Sequence, residues 1–163
     1  MPPPRGSDVL LQARSINAMI MPSPPHIPVI VLELEDGREF TLYNVPFEIV
    51  QAINKLQHEE LTTPGERETV FELLVDLREL VSELGKRLEY VVIDEIDYAT
   101  ALYTAKVSFI LQEGIYMMRR MVPSHAVFLA LLFNKPIYVS KRLVDEQEEY
   151  ERMMREESEE QQE

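Results

Sequence analysis

Cysteine is absent from this chain, which removes thiol nucleophiles, thiolate metal sites and disulfides together and suits a reducing compartment. Glycine is scarce: five in 163 residues leave little room for a phosphate-cradling loop, and no such loop, zinc motif or nucleophile elbow occurs. No stretch reaches the roughly 18 uninterrupted apolar residues that a membrane span requires. Met1 to Asp8 lacks a charged start followed by an apolar run, so no cleaved leader is expected. These absences predict a soluble, cytoplasmic protein with no membrane partner. At 45% hydrophobic the chain is sized for one domain, whose core needs neither disulfide nor metal.

Negative charge is abundant but unevenly placed. Of the formal −13, residues 145–163 carry −8, with ten Asp or Glu against Arg152 and Arg155. Gly114 to Val144 holds Arg119, Arg120, Lys135, Lys141 and Arg142 and no carboxylate at all. A basic stretch inside an acidic protein is where a polyanion such as nucleic acid would be held, because local field matters more than net charge. The alternative is that these side chains are scattered over a solvated surface.

The chain also repeats itself. Gly37 to Pro46 aligns without a gap on Gly114 to Pro123, an offset of 77 residues, with Ile30, Leu32 and Leu34 falling on Val107, Phe109 and Leu111. Each copy reads as two strands, a glycine turn and a helix opened by proline, so the fold expected is α+β: one domain built from a duplicated hairpin–helix unit, its mixed or antiparallel sheet packed with helices. Strands are predicted at Val9–Met21, Ile27–Glu35, Arg38–Tyr43, Leu88–Ile96, Thr100–Leu111, Ile115–Met121 and Pro136–Val139. Asp36-Gly37 is the clearest hairpin signal. Helices are predicted from Pro46, with Ile49, Val50, Ile53 and Leu56 on one face, and from Pro123 to Phe133, which is apolar nearly all round. The longest helix is expected to open at Thr63-Pro64-Gly65-Glu66 and stop at Gly85, burying Val70, Leu73, Leu74, Leu77, Val81 and Leu84 while Glu68, Glu72, Asp76, Glu79 and Glu83 mostly face away. Residues 1–8 read as a flexible N-terminus, 9–146 as the domain, and 147–163 as an acidic segment passing from helix to disorder near Arg155.

Candidate chemistry is sparse. Ser124 and His125 suggest a nucleophile and base, but neighbours on a helix point about 100° apart and cannot hydrogen-bond as a pair. His26, His58 and His125 have no metal-ligand spacing. Asp94 and Asp97, with Glu95 between them, could hold a divalent metal for phosphodiester hydrolysis, or form a solvated hairpin end. The start at Val122-Pro123-Ser124-His125 offers free backbone N–H groups to an anion just after Arg119 and Arg120, unless Ser124 merely caps the first turn.

Pro123-Ser124-His125-Ala126-Val127, then Leu129-Ala130-Leu131 and Lys135-Pro136-Ile137-Tyr138-Val139-Ser140, resembles the bifunctional nuclease domain family, whose hallmark is Arg-Pro-Ser-Asp-Ala, an apolar helix and a Pro-Ile-Tyr-Val strand. Pro28 to Leu32, Tyr90 to Ile93 and Leu102 to Ala105 are similar to further strands of the family, so the resemblance covers residues 9–146. It implies cleavage of DNA and RNA. The chain has Val122 and His125 where the hallmark has Arg and Asp. A second motif, Arg-Pro-x-Thr-His-Asp-Leu-Leu, is best matched by Arg67 to Leu74, with Glu72 for the Asp and Val70 and Phe71 for Thr and His.

The resemblance thus implies a nuclease in which Glu72, His125 and Ser124 are the catalytic candidates. Arg67, Arg119, Arg120, Lys135 and Lys141 would hold substrate, and Asp94 and Asp97 would bind magnesium or manganese. The competing expectation is a non-catalytic polyanion-binding or homo-oligomeric scaffold on the same fold. Met117, Met118, Met121, Met153 and Met154 suit adaptable apolar contact with another copy.

Overall fold

The computed structural model describes residues 8–58 and 67–162. In chain order the elements are β1 (Leu10–Ile20), β2 (Pro28–Leu34), β3 (Glu39–Tyr43), α1 (Phe47–His58), α2 (Val70–Asp76), α3 (Ser82–Arg87), β4 (Leu88–Asp97), β5 (Leu102–Gln112), β6 (Ile115–Met121), α4 (Pro123–Leu132), β7 (Ile137–Ser140) and α5 (Lys141–Gln161). The strands make one sheet in the order β3-β2-β1-β7-β4-β5-β6, and every pairing is antiparallel except β7 against β4. The fold is therefore α+β with a mixed sheet, as the sequence predicts.

The two hairpins pair identically at the 77-residue offset. Ile30 opposes Leu42 and Leu32 opposes Phe40; shifted by 77 these become Val107 opposite Arg119 and Phe109 opposite Met117, which is the pairing found. Both turns need a residue with positive φ, and both have a glycine there, Gly37 at 88° and Gly114 at 77°. The strands leading in are displaced: Ala18 opposes Ile30, whereas Val91 opposes Val107, a separation of 73. Both Val-Pro pairs lead into helices, Pro46 just before α1 and Pro123 as the first residue of α4.

The alternation of β2 sends Ile30, Leu32 and Leu34 inward, where they join Phe40, Ile49, Ile53, Val91, Ile93, Val107, Val127 and Phe128 in one continuous core. α4 is the most thoroughly buried helix, with Pro123, Ser124, Ala126, Val127, Phe128, Ala130 and Leu132 all covered. The sheet curls strongly. Phe40 on β3 lies edge to face with Tyr103 on β5, ring centroids 5.0 Å apart, although β3 is the first strand of the order and β5 the last but one.

Two expectations need correction. The long helix after Thr63 is two short ones, its predicted opening lies outside the described residues, and the chain turns between Leu77 and Val81. The observed start is capped by Thr69, whose side chain accepts from the Glu72 N–H. The break rotates the apolar stripe: Glu72 is buried, and Val70, Leu73, Leu77 and Leu84 are exposed. Gly85 lies inside α3, where a Cβ would collide with the Phe133 ring, so it permits close packing and stops nothing. α5 runs as one helix from Lys141 to Gln161.

α5 is fastened along the outer edge of β3. Gln147 accepts from the Thr41 N–H at 2.8 Å and donates to the Thr41 carbonyl at 2.9 Å, closing that edge as a strand would. Arg38 adds ion pairs to Asp36 at 2.8 Å and Asp145 at 2.6 Å, and Tyr43 donates to Glu151.

Candidate phosphate-binding cleft

The curl of the sheet brings the two Val-Pro corners together around a cleft of about 640 Å³. One wall is Leu42 to Pro46, entering α1; the facing wall is Arg120 to Ser124, entering α4; the start of β5, Ala101 to Thr104, completes it. Pro123 is at the first helical position of α4, where its fixed φ suits the helix and its missing N–H costs nothing. Ala126 makes the first bond back, to the Val122 carbonyl at 3.1 Å. The N–H groups of Ser124 and His125 precede that bond and belong to the helix end that favours anions. Val122 provides no side-chain cap.

Ser124 is 3% exposed, and its Oγ has no hydrogen-bond partner. A buried hydroxyl without a partner pays a desolvation cost that a ligand oxygen would recover. Ser124 therefore neither caps α4 nor pairs with His125. The His125 ring instead meets Phe71 of α2 edge to face, centroids 5.4 Å apart.

Arg120 enters the cleft from β6, directly across from Lys106 on β5. Two cations opposite each other on one sheet face repel. Glu95 bridges them, with one oxygen 3.2 Å from Lys106 and the other 2.6 Å from Arg120. A bulge on β4 makes this possible: Ile93 opposes Ala105 and Glu95 opposes Thr104, leaving Asp94 as the extra residue, itself 3.0 Å from Lys106. The Asp94 hydrogen bond, ahead of the attraction of Glu95, raises the Lys106 pKa and keeps it charged.

The other sequence candidates are dispersed. Asp97 closes the turn after β4, accepting from the Ala99 N–H at 2.9 Å, and does not converge with Asp94. Among the described residues no three His, Asp or Glu side chains could together hold a metal, so this donor set does not fit a magnesium or manganese ion held by the protein alone. Glu72 is buried in the first turn of α2 and Arg67 is exposed just ahead of it; neither lines the cleft. Arg119 is exposed on β6 opposite Val107, and Lys135 is half-buried in the turn after α4. Lys141 pairs with Asp145 at 2.9 Å in the first turns of α5. Of the five cations that are close in sequence, only Arg120 lines the cleft.

Sequence reading missed Tyr43 and Tyr103, which stand in the cleft from opposite halves of the chain. Burial, reinforced by the bond to Glu151, pushes the Tyr43 phenol up to about 12, so it stays a neutral donor. A signal for the cleft was present nonetheless: the 77-residue offset marks the Val45-Pro46 and Val122-Pro123 corners that form its two walls.

A curled mixed sheet with helices entering from paired proline corners, and an uncapped helix start opening onto a cleft, define this α+β domain. The family model of the bifunctional nuclease domain matches residues 30–152, most of the chain, and the protein belongs to that family. Comparison with curated proteins finds no match. The matched span runs from within β2 to the part of α5 fastened to β3.

Proposed function

We propose that this protein binds a nucleic-acid phosphodiester at the N-terminus of α4 and cleaves it, the activity that its family membership implies. The observation that carries the reading is the buried, unpartnered Ser124 hydroxyl beside the free end of α4. In this reading the Ser124 hydroxyl and the N–H groups of Ser124 and His125 hold non-bridging oxygens. Arg120, mostly exposed, releases Glu95 to meet the phosphate charge. Such donors stabilise charge that grows on the phosphoryl oxygens.

A second reading, binding without cleavage, is favoured by one feature: among the described residues, no Asp, Glu or His lines the cleft, so no side chain there is suited to general-base work. One experiment separates the two. Fluorescent single- and double-stranded DNA and RNA are incubated with wild type, with Ser124→Ala and with a Glu72→Ala, His125→Ala double variant, with and without magnesium or manganese. Cleavage by wild type that is lost in Ser124→Ala supports the nuclease. Binding lost in Ser124→Ala, with no cleavage by any variant, supports the second reading. Neither binding nor cleavage by wild type overturns both.

A further inference from the structure

Around its phosphate-binding end the cleft is apolar. Leu42, Val45, Leu102, Met121 and Val122 line it with the rings of Tyr43 and Tyr103, while among the described residues Arg120 is the one Lys or Arg in the lining and is already paired with Glu95. At the rim two large aliphatic side chains are left open to solvent, Leu102 at 67% and Val122 at 54% exposure. Neither belongs to the buried core, and both line a volume within the range of roughly 300–1,000 Å³ typical of ligand pockets.

We propose that this cleft receives an unpaired nucleobase, so that the ligand is single-stranded nucleic acid and not duplex; the inference rests on the phosphate reading above and names the substrate class of that site. Charge supports it first. Duplex affinity comes mainly from neutralising several phosphates with Lys and Arg, and a cleft with one committed cation in a protein of net charge −13 cannot do that. The apolar lining supports it second. In a duplex the base faces are stacked on their neighbours, whereas an unpaired base can lay a π-face against Leu102, Val122 or a tyrosine ring. The aromatic walls are fixed in advance: Tyr103 is held edge to face by Phe40, and Tyr43 is tied through its hydroxyl to Glu151. Asn44 and Thr104, also in the lining, provide a donor and an acceptor for base edges. The base would lie in the apolar part while its phosphate reaches Ser124.

Fluorescence anisotropy with three labelled probes of equal length tests this: a single strand, a duplex, and an abasic sugar–phosphate strand. The expected result is that wild type binds the single strand about tenfold or more tighter than either other probe, the scale of one stacked base. Leu102→Ala with Val122→Ala, which shorten two exposed side chains without adding a helix cap that would compete for the Ser124 and His125 N–H groups, should bring single-strand affinity down toward the abasic value while the abasic strand still binds. Equal affinity for the abasic and base-bearing strands, or a duplex bound as tightly as the single strand, overturns the base site and leaves the phosphate reading standing. Failure of any probe to bind, or abasic binding unaffected by Ser124→Ala, overturns the phosphate reading itself.

Discussion

Ser124 and Gly85 show how one position can be decided by what it lacks. Removing the Ser124 hydroxyl deletes a buried polar group that has no partner in the free protein. Ser124→Ala should therefore leave thermal stability unchanged or raise it by about 1 kcal/mol, while phosphate affinity falls. A melting curve beside a binding isotherm checks this, and a lowered Tm would show that the hydroxyl serves the fold. Gly85 is the opposite case. Its Cβ would stand 2.8 Å from Cγ of Phe133, so Gly85→Ala overpacks the α3–α4 contact and should cost about 1–3 kcal/mol, read as a lower denaturation midpoint. Neither property was legible in sequence. A glycine that ends a helix and one that allows a ring to approach look the same in the one-letter string. A serine at a helix start reads first as a cap.

At the scale of elements, whatever depended on local pattern was legible. Strands alternate and helices repeat, and all seven strands fell where the pattern put them. The break between α2 and α3 was not legible, because Val70, Leu73, Leu77 and Leu84 keep helical spacing across a turn that tertiary packing imposes. Nor was the clamp that fastens α5 to β3, whose partners are separated by more than one hundred residues. The clamp gives two predictions. Gln147→Ala leaves the Thr41 N–H and carbonyl unpaired and should lower stability by about 1–2 kcal/mol in chemical denaturation. The second concerns pH. The Arg38 guanidinium, then the Lys141 ammonium, holds the Asp145 carboxyl below its usual range; the Arg38 backbone N–H and then its side chain do the same for Asp36. A carboxylate whose pKa falls on folding stabilises the fold above its unfolded pKa, near 3.9, and loses that contribution as pH drops toward the folded value. The amide resonances of α5 should therefore shift below about pH 4, before those of β4 and β5, and simultaneous loss of all three would refute a separate acid-sensitive clamp.

For the whole molecule, the candidate site was legible only in part. The sequence pointed to the start of α4 and missed the facing wall, since nothing local says that a sheet curls until its ends meet. Total charge gives a further prediction. With one or two phosphates contacted, the affinity for a single strand should fall with salt at a log–log slope of about −1, far shallower than a multi-cation groove would show. Titrations at several salt concentrations measure it, and a slope several times steeper would mean that Arg119, Lys135 and Lys141 act together with Arg120. The ends of the sheet differ in a way that bears on assembly. The β3 edge is closed by Gln147 and α5, while among the described residues no strand covers the far side of β6. A molecule with two open edges can add copies without limit, but one with a single open edge runs out of edges after one encounter. Two copies joining β6 to β6 would use the same surface on each and stop at a pair, so the whole clamp of α5 on β3 separates a sheet that could close into a dimer from one that could grow into a fibre.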